Sequence, residues 1–336
     1  MTVTFDTTID ELQTGKIYTG IYNSSRRAWF KYCYHFSHIE NIVSILNDGY
    51  LFSRKEALLK SKMKSDNASS KIIDQTNLKY KEYVRLYFRP KSPTQYHNEG
   101  CKTKEQLKIS ELNAQCSVPV FLCLDIRKVL THPGCLFTET SLASQGAVSL
   151  YSTPDEFSKL PFDKIYHDRA IMASEETSSI VGHRHAEIII PDSLPLTDYL
   201  KKIVVRSPAE KETLISLMNE DLKKKYEKLI QIDTSNILFY SRWTYFHNAQ
   251  LENNLMTFDV RVSRYNNNQI PIQFDVEVEL VDEDGTVKRQ LIENYSVPSK
   301  LRVPFSKPRE RYEVTWWFDN QLMYKGSFRS EGNLPF

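Results

Sequence analysis

The 336-residue sequence predicts an α+β protein with two domains, a mixed domain over residues 1–240 and a β-sandwich over residues 251–336. A chain of this length is long enough to bury two separate cores. Before about residue 230, helix-capping signatures alternate with short β-branched runs, a pattern typical of mixed structure. Beyond residue 251, short segments of alternating apolar and polar residues follow one another, which indicates antiparallel sheets.

The N-terminal part of the chain predicts one well-defined helix. Residues 1–30 are predicted to be irregular, with one short strand candidate at 16–22. Ser37 and Glu40 form an S-x-x-E capping box before apolar residues at helical spacing, and Gly49 is suited to end that helix. The following residues 54–82 are predicted to form a charged, partly helical excursion.

Strands account for most of the remaining first domain. They are predicted at residues 83–89, 118–124, 136–138, 187–190 and 202–206. The segment from 140 to 161 is rich in Ser, Thr and Pro and predicts a loop. A second helix is predicted from Ser207, its cap, with Pro208 in the first helical position and Glu210 in the third. This helix is expected to end near residue 228, and the domain boundary to lie between 231 and 250.

The C-terminal segment predicts a small β-sandwich of immunoglobulin-like outline. Phe258, Val260 and Val262 alternate with polar residues, and the same alternation continues from Phe274. Asp284-Gly285 is a hairpin turn signal, and further strands are predicted at 286–294, 299–305, 311–318 and 321–328. Six short strands within about 80 residues are typical of such sandwiches.

Glu187 is the most informative single residue. It heads a run of three isoleucines that Pro191 closes, so it begins a buried strand. An unpaired buried charge is costly, so this carboxylate is either solvated at the end of the strand or held in a cleft. The pattern alone leaves both alternatives open.

Charge is distributed unevenly along the chain, whose net charge is only +2. Residues 54–108 carry 14 Lys/Arg and 6 Asp/Glu, a local balance of +8, and tyrosines lie between these charges. Basic side chains can follow a phosphate backbone while aromatic rings stack on unpaired bases, which points to single-stranded nucleic acid. The alternative is a solvated lysine-rich helix beside a strand whose aromatic residues belong to the core.

Several classes of protein are not indicated. The N-terminus is polar and lacks the apolar stretch of a signal peptide, and the longest apolar runs are far shorter than a membrane span. The five cysteines contain no C-x-x-C pair, so neither a disulfide framework nor a zinc site is expected. The sequence therefore predicts a cytoplasmic protein without a metal and without a membrane partner.

Three motifs, taken in chain order, resemble one known family. They are YHFSHIENIVSIL from residue 34, YVRLYFRPKSPTQY from residue 83, and RHAEIII from residue 184. Together they resemble the DarT family of NAD-dependent toxins, which attach ADP-ribose to bases of single-stranded DNA. The resemblance covers about residues 28–230. It implies an ADP-ribosyltransferase-like fold, a split antiparallel β core with flanking helices, with NAD as co-substrate.

The same resemblance implies roles for individual residues. Glu187 would be the catalytic glutamate. Residues that would bind NAD are His35, Ser37, Asn41, Tyr83 and Tyr87, and those that would bind nucleic acid are Arg85, Arg89, Lys91 and Tyr96. Breaking the bond between nicotinamide and ribose builds positive charge on the ribose, which a carboxylate can stabilise while it accepts a proton from the attacking base.

Two features depart from the family pattern. The family carries an arginine between the first two motifs, whereas residues 71–80 contain none, and Arg54 is one candidate to replace it. In the second motif, Lys91 stands where the family has arginine, and Thr94-Gln95 stands where it has Met-Leu. Lysine keeps the charge but loses planar, bidentate recognition. These departures leave the choice between DNA and RNA open.

The leading hypothesis is a mono-ADP-ribosyltransferase that modifies a base of single-stranded nucleic acid, with DNA favoured. It would act as a toxin, paired with an antitoxin or used in antiviral defence. The first alternative is an RNA acceptor, including mRNA. Modification of protein and a catalytically inactive binding protein are the further alternatives, and the presence of Glu187 argues against the last.

Overall fold

The computed structural model describes residues 2–64, 77–109, 114–144, 147–171, 176–263 and 272–330. The chain divides into two compact units. The first comprises residues 1–98, 121–204 and 237–239, and the second comprises 99–120, 205–236 and 240–336. These units interleave along the chain, whereas the domains predicted from the sequence are two continuous ranges, 1–240 and 251–336. The predicted ranges stay a proposal.

The N-terminal segment is more ordered than its sequence predicts. An α-helix spans Phe5–Thr14 and a 3-10 helix spans Ser24–Lys31, whereas residues 16–22 form no strand. The Thr4 hydroxyl caps the first helix by accepting a hydrogen bond from the Thr7 amide, and the Thr7 hydroxyl accepts one from the Thr4 amide. This capping box uses threonine in place of glutamate, so the usual signature is absent from the sequence.

Eight strands belong wholly or mainly to the first unit. They are β1 Tyr32–His38, β2 Tyr50–Phe52, β3 Tyr83–Tyr87, β4 Pro119–Asp125, β5 Leu136–Phe137, β6 Glu187–Pro191, β7 Ser193–Pro195 and β8 Leu200–Val205. Six of them follow one another in a sheet in the order β5-β6-β3-β1-β4-β8, and β2 pairs with β7. The predicted strands at 83–89, 118–124, 136–138, 187–190 and 202–206 are confirmed in position.

Adjacent strands of this sheet bring distant motifs together. β3 pairs antiparallel with β6 so that Tyr87 lies opposite Glu187, and β1 pairs antiparallel with β3 so that Tyr34 lies opposite Tyr87. Ile188, Ile189 and Ile190 are fully buried, as expected for an apolar β-branched run. All three sequence motifs therefore lie on neighbouring strands.

The predicted helix after β1 is confirmed, but its cap is not the predicted residue. The helix spans Ile39–Asp48 and ends at Gly49, whose φ of 71° is the left-handed conformation that favours glycine. Its N-cap is His38, whose Nδ1 accepts a hydrogen bond from the backbone of Glu40 at 3.4 Å. Ser37 is not the cap, because β1 continues through His38 and carries Ser37 inside the strand.

The first unit contains further short helices. Their bounds are Arg54–Leu59, Pro93–Asn98, Ile126–Leu130, Pro154–Ser158, Phe162–Ile165 and Glu176–His183, with a 3-10 helix at Leu78–Glu82. The excursion predicted over residues 54–82 is thus partly helical where it is described. Residues 65–76, on which the rest of that prediction falls, lie outside the described residues.

The second unit contains the six predicted C-terminal strands and two, β9 and β10, that the sequence did not predict. Its strands are β9 Ile230–Ile232, β10 Tyr245–Leu251, β11 Leu255–Arg261, β12 Gln273–Asp282, β13 Val287–Ser296, β14 Lys300–Pro304, β15 Arg311–Phe318 and β16 Gln321–Arg329. β10 falls in the stretch expected to be a domain boundary. The Asp284-Gly285 hairpin joins β12 to β13 as predicted, with Gly285 at a φ of 80°.

Two antiparallel sheets of this unit share one core. The sheets have the orders β10-β11-β14 and β13-β12-β15-β16. Phe246 and Phe258 from the first sheet, together with Trp316 and Phe318 from the second, belong to the same buried cluster. A molecule of mixed helices and sheets is thus confirmed, while the immunoglobulin-like outline stays a prediction.

A helix over Pro208–Leu217 completes the second unit, together with shorter helices at Lys104–Ile109, Glu220–Tyr226 and Glu227–Leu229. Ser207 caps it as predicted and accepts a hydrogen bond from the backbone of Glu210 at 3.2 Å. The Glu210 carboxylate accepts hydrogen bonds from Arg206 and not from the backbone of Ser207. No helix within the described ranges has the length and apolar character needed to cross a membrane.

Candidate active site

Glu187 and Arg85 form a bidentate ion pair on neighbouring strands. Arg85 Nε donates to Glu187 Oε2 at 2.5 Å and Arg85 Nη2 donates to Glu187 Oε1 at 2.6 Å. The pair forms because alternate residues of β3 and β6 point to the same face of the sheet. Burial alone would lower the pKa of Arg85, but the neighbouring Glu187 carboxylate more than offsets this and raises it. Two parallel hydrogen bonds fix the plane of the carboxylate.

Glu187 is held from its other side by the backbone. Its side chain is completely buried, and Oε1 also accepts a hydrogen bond from the Leu142 amide at 3.1 Å. Its own amide donates to Thr138 Oγ1 at 3.2 Å. The first of the two alternatives from the sequence, a solvated carboxylate at the end of a strand, is therefore wrong, because this carboxylate is enclosed and paired.

His35 lies beside this ion pair in its neutral form. Nδ1 of the half-buried ring is 3.4 Å from the carbonyl oxygen of Arg85, which can only accept, so Nδ1 carries the proton. Burial lowers the pKa of His35 to about 4. A neutral ring protonated on Nδ1 leaves Nε2 as an acceptor. A hydrogen bond donated by Nε2 would require the other tautomer.

Ser37 and Asn41 are hydrogen-bonded to each other and line the cavity described below. Asn41 Nδ2 donates to Ser37 Oγ at 3.2 Å, and Asn41 Oδ1 accepts from the backbone amide of Lys64 at 2.8 Å. Both side chains are buried. The hydroxyl and the amide thus keep each other oriented at one wall of the cavity.

A cavity of about 270 Å³ is lined by all five predicted NAD-binding residues. Its lining includes His35, Ser37, Asn41, Tyr83, Arg85 and Tyr87, which are five predicted NAD-binding residues and one predicted nucleic-acid-binding residue. Burial and the neighbouring Glu187 carboxylate raise the pKa of Tyr87, so its phenol stays protonated. A larger depression of about 610 Å³ elsewhere in the unit contains none of the predicted site residues.

The structure does not bring Arg89 to this cavity. Its side chain is buried and donates to the carbonyl oxygens of Pro90, Ile165 and His167 at 3.0, 3.2 and 2.5 Å. Its guanidinium also lies 4.8 Å from the centre of the Trp29 ring. These contacts favour a structural role for Arg89, because a guanidinium enclosed by carbonyl groups is not accessible to a phosphate.

Lys91 and Tyr96 differ in their exposure to solvent. Lys91 is buried with a φ of 57°, and its amide donates to Gln95 Oε1 at 2.6 Å. Gln95 Nε2 in turn donates to the carbonyl of Leu238 at 2.7 Å. Tyr96 is 37% exposed. Of the four predicted nucleic-acid contacts, Tyr96 alone has a substantially solvent-exposed side chain outside the cavity.

Metal and disulfide chemistry have no structural basis within the described part of the chain. There, no group of three His, Cys, Asp or Glu side chains could hold a metal ion. The five cysteines are all buried as free thiols. The cavity lining offers an arginine, a neutral histidine and phenols, and the Glu187 carboxylate is hydrogen-bonded to that arginine.

A comparison with family models decides which family the chain belongs to. Residues 34–269, well over half of the chain, match the family model described as ssDNA thymidine ADP-ribosyltransferase, DarT. The chain belongs to the DarT family. The enzyme class predicted from the sequence, an NAD-dependent ADP-ribosyltransferase, is thereby confirmed.

Solved structures of Thermus sp. 2.9 DarT are similar to this chain at low sequence identity. The complex with NAD+ is 16% identical, with a TM-score of 0.45, over 62% of this chain and 98% of that chain. The complex with ADP-ribosylated ssDNA is 16% identical, with a TM-score of 0.47, over 62% of this chain and 96% of that chain. No curated protein matches the chain significantly.

The structure adds basic residues to the site that the DarT motifs did not assign. Arg54, named from the sequence as one candidate for the missing family arginine, lines the cavity, as does Lys62. Lys62 Nζ is 2.6 Å from Asp48 Oδ1, which also lines the cavity. The positive local charge of residues 54–108 was the sequence signal that could have found these residues. Their place on the cavity wall depends on how the segment after β2 folds, with Arg54 at the start of the helix Arg54–Leu59.

Proposed function

We propose that this protein transfers ADP-ribose from NAD to a base of single-stranded DNA. The observation that carries the proposal is a buried, doubly held carboxylate, Glu187, directly beside a cavity lined by His35 and Tyr87. Membership in a family described as acting on thymidine in single-stranded DNA supports this acceptor and makes thymine the first base to test.

The proposed reaction exchanges one bond to the anomeric carbon for another. The bond from C1′ of the ribose to the nicotinamide nitrogen breaks, and its electron pair leaves with neutral nicotinamide. A ring nitrogen of the base then bonds to C1′ and loses its proton to the Glu187 carboxylate. The positive charge that develops on the ribose between these events is stabilised by the same carboxylate.

Arg85 determines how Glu187 meets the substrate. Glu187 itself is completely buried, while Arg85 is 28% exposed and lines the cavity, so the arginine lies between carboxylate and cavity. We infer that the Arg85 guanidinium turns toward the phosphates of NAD and opens one carboxylate oxygen to the ribose. An arginine can serve both partners because it forms the same bidentate contact with a carboxylate and with a phosphate.

The other side chains of the cavity supply orientation. Nε2 of His35 would accept a hydrogen bond from a ribose hydroxyl, with Ser37 and Asn41 as neighbouring polar contacts. Arg54 would contact the negatively charged pyrophosphate, in the role of the family arginine missing from the sequence. Tyr83 and Tyr87 would pack against the nicotinamide. Each group acts by hydrogen bonding or packing, and no metal ion is required for the step.

An RNA acceptor is the second candidate. Thr94, where the family motif has methionine, lines the cavity near Tyr87 and places a hydroxyl where an apolar side chain is expected. A hydroxyl can contact the ribose 2′-OH, the group by which proteins distinguish RNA from DNA. This polar substitution is the observation that keeps RNA, including mRNA, as a candidate.

The proposed cellular role is that of a cytoplasmic toxin held in check by an antitoxin, or of an antiviral effector. Modification of nucleic-acid bases would stop templated synthesis, so expression of the active protein should arrest bacterial growth. Expression of Glu187→Gln should be tolerated at the same protein level. Equal toxicity of both proteins would contradict this role.

The acceptor is tested by incubating the protein with NAD labelled in the ADP-ribose part. Single-stranded DNA, RNA of the same sequence, and total cell protein are supplied in parallel, with Glu187→Gln as the control. Label should enter the DNA, and oligonucleotides lacking thymine test the base. Label in RNA alone would select the second candidate, and label in protein alone would contradict the proposal.

A further inference from the structure

Two tyrosines in the N-terminal segment are unusually exposed. Tyr18 and Tyr22 each keep 77% of their surface in solvent, although tyrosine is ordinarily intermediate in burial. Both precede residue 34, where the match to the family model begins. The proposed reaction with NAD gives neither residue a role.

The segment that carries Tyr22 is held firmly in place. Gly20 has a φ of 66°, and a Cβ there would lie 2.4 Å from the carbonyl oxygen of Asp163, so only glycine fits. The amides of Tyr22 and Asn23 donate to the Asp168 carboxylate at 2.8 and 3.1 Å. Tyr22 is thus exposed on a fixed backbone, which reduces the conformational entropy lost when a ligand binds.

Positive charge accompanies the exposed ring. The guanidinium of Arg169, an exposed residue, lies 4.8 Å from the centre of the Tyr22 ring. The nearby acid, Asp168, is already engaged by two amides and by Arg26 Nη1 at 3.0 Å. Lys16 and Arg27, in the same segment, are also exposed. An aromatic face beside cationic groups is the arrangement that proteins use to bind single-stranded nucleic acid.

This exposed surface lies at the end of the sheet where Glu187 stands. Arg89, two residues beyond the end of β3, donates to the carbonyl of His167. Arg184, three residues before Glu187, donates to the carbonyl of Arg169 at 2.6 Å. Because β3 and β6 are antiparallel, the last residue of β3 and the first residue of β6 lie at the same end of the sheet. The segment that anchors Tyr22 is therefore hydrogen-bonded to residues that flank both β3 and β6.

We propose that Tyr22 and Arg169 form a stacking surface for an unpaired base that flanks the modified one. The inference rests on the proposed function, since it concerns the same nucleic-acid substrate. A base would stack on the exposed Tyr22 ring while Arg169 contacts its phosphate. The surface would hold the strand so that the neighbouring base enters the cavity beside Glu187.

The test measures strand binding separately from catalysis. A dye-labelled single-stranded DNA oligonucleotide and RNA of the same sequence are titrated without NAD, and fluorescence anisotropy gives Kd. Tyr22→Ala should raise Kd by about 5- to 100-fold, the range expected for loss of one base stack. Tyr22→Phe, which keeps the ring, should stay within about twofold. Arg169→Gln should lower the salt dependence of log Kd by about one phosphate contact.

The binding assay includes a matched control variant and a separate measurement of NAD affinity. Leu291→Ala removes another exposed apolar side chain, 60% exposed and in the second unit, and should leave Kd unchanged. NAD affinity, measured by calorimetry, should be unchanged in all variants. Tyr22→Ala binding DNA and RNA as tightly as the wild type would overturn the inference. The proposed function fails by a different result, the absence of labelled ADP-ribose on nucleic acid in the transfer assay.

Discussion

Glu187 and Arg85 are the residue pair on which the proposed chemistry depends. If the carboxylate stabilises the developing ribosyl cation, Glu187→Gln keeps its shape and loses its charge. Turnover should fall by about 10²- to 10³-fold, the cost of removing one electrostatic stabiliser. NAD affinity should change little, because the charge develops mainly in the transition state. Steady-state rates and calorimetric titration measure both, and transfer at nearly the wild-type rate would contradict the role.

Arg85 should contribute to stability through its ion pair with Glu187, in addition to its proposed contact with NAD. Arg85→Met leaves the Glu187 carboxylate buried without its partner, which costs about 3–5 kcal/mol of unfolding free energy for a fully buried pair and less here, because Arg85 is partly exposed. The double variant Arg85→Met/Glu187→Gln should recover part of that loss, since no uncompensated charge remains. Urea unfolding of the four proteins measures the coupling. Additive losses would show that the two side chains do not interact.

The buried histidines should make the protein sensitive to acid. Burial lowers the pKa of His35, His38 and His185 from 6.5 to about 4. Between these values the unfolded chain binds protons that the folded chain does not, so stability is present above pH 6.5 and is lost as the pH falls toward 4. The loss is on the order of 1–3 kcal/mol per histidine.

Replacing one of these residues tests the acid sensitivity directly. His38→Asn supplies another side chain that can cap a helix and removes one titrating group, so unfolding free energy should depend less on pH between 7 and 5. Urea unfolding at both pH values gives the measurement, and His247→Asn, exposed on β10, is the matched control. An unchanged pH dependence in His38→Asn would contradict the assignment.

At the scale of elements, the stability of the loop after β3 depends on the contacts of Arg89. Its guanidinium binds three carbonyl oxygens and stacks on Trp29, so Arg89→Ala should lower unfolding free energy by about 2–4 kcal/mol. DNA affinity of the folded protein should be unchanged, in contrast to the phosphate contact that the sequence suggested. A lower DNA affinity with unaltered stability would restore that first interpretation.

The sequence predicts those elements whose signals are local. β6 and the helix over Ile39–Asp48 follow from runs of a few residues, and both are confirmed. The first helix was missed because its capping box uses Thr7. The cap of the second was assigned to Ser37 because sequence cannot show that β1 extends to His38.

The site was less predictable than the strands that carry it. Arg85 and Glu187 are 102 positions apart, and their pairing follows from strand order, which no local pattern contains. The burial of Arg89 is equally non-local, because its carbonyl partners at Ile165 and His167 lie more than 70 positions away. The family motifs suggest Glu187 as the reacting carboxylate, and the folded structure shows that Arg85 and the Leu142 amide hold it.

At the scale of the whole molecule, the second unit collects segments from three parts of the chain. Within it, Ser117 Oγ donates to the carbonyl of Leu322 at 3.0 Å, and Ser207 Oγ donates to that of Phe246 at 2.8 Å. Truncation after residue 240 should therefore expose apolar residues of 99–120 and 205–236. The truncated protein should aggregate or unfold without a cooperative transition, as monitored by circular dichroism.

The full-length chain is the control for this truncation and should unfold cooperatively. A soluble 1–240 fragment with a sharp transition would support the continuous domains predicted from the sequence. It would also show that the segments at 99–120 and 205–236 do not need the C-terminal strands.

The buried thiols have a consequence for how the protein tolerates oxidants. All five cysteines are enclosed, and burial raises the pKa of the thiols of Cys33, Cys101, Cys116 and Cys135. Peroxides and alkylating reagents attack the thiolate, and access to it limits their rate. The folded protein should therefore keep its activity without a reducing agent and resist iodoacetamide. Oxidative stress in a cell should therefore neither raise nor lower its activity.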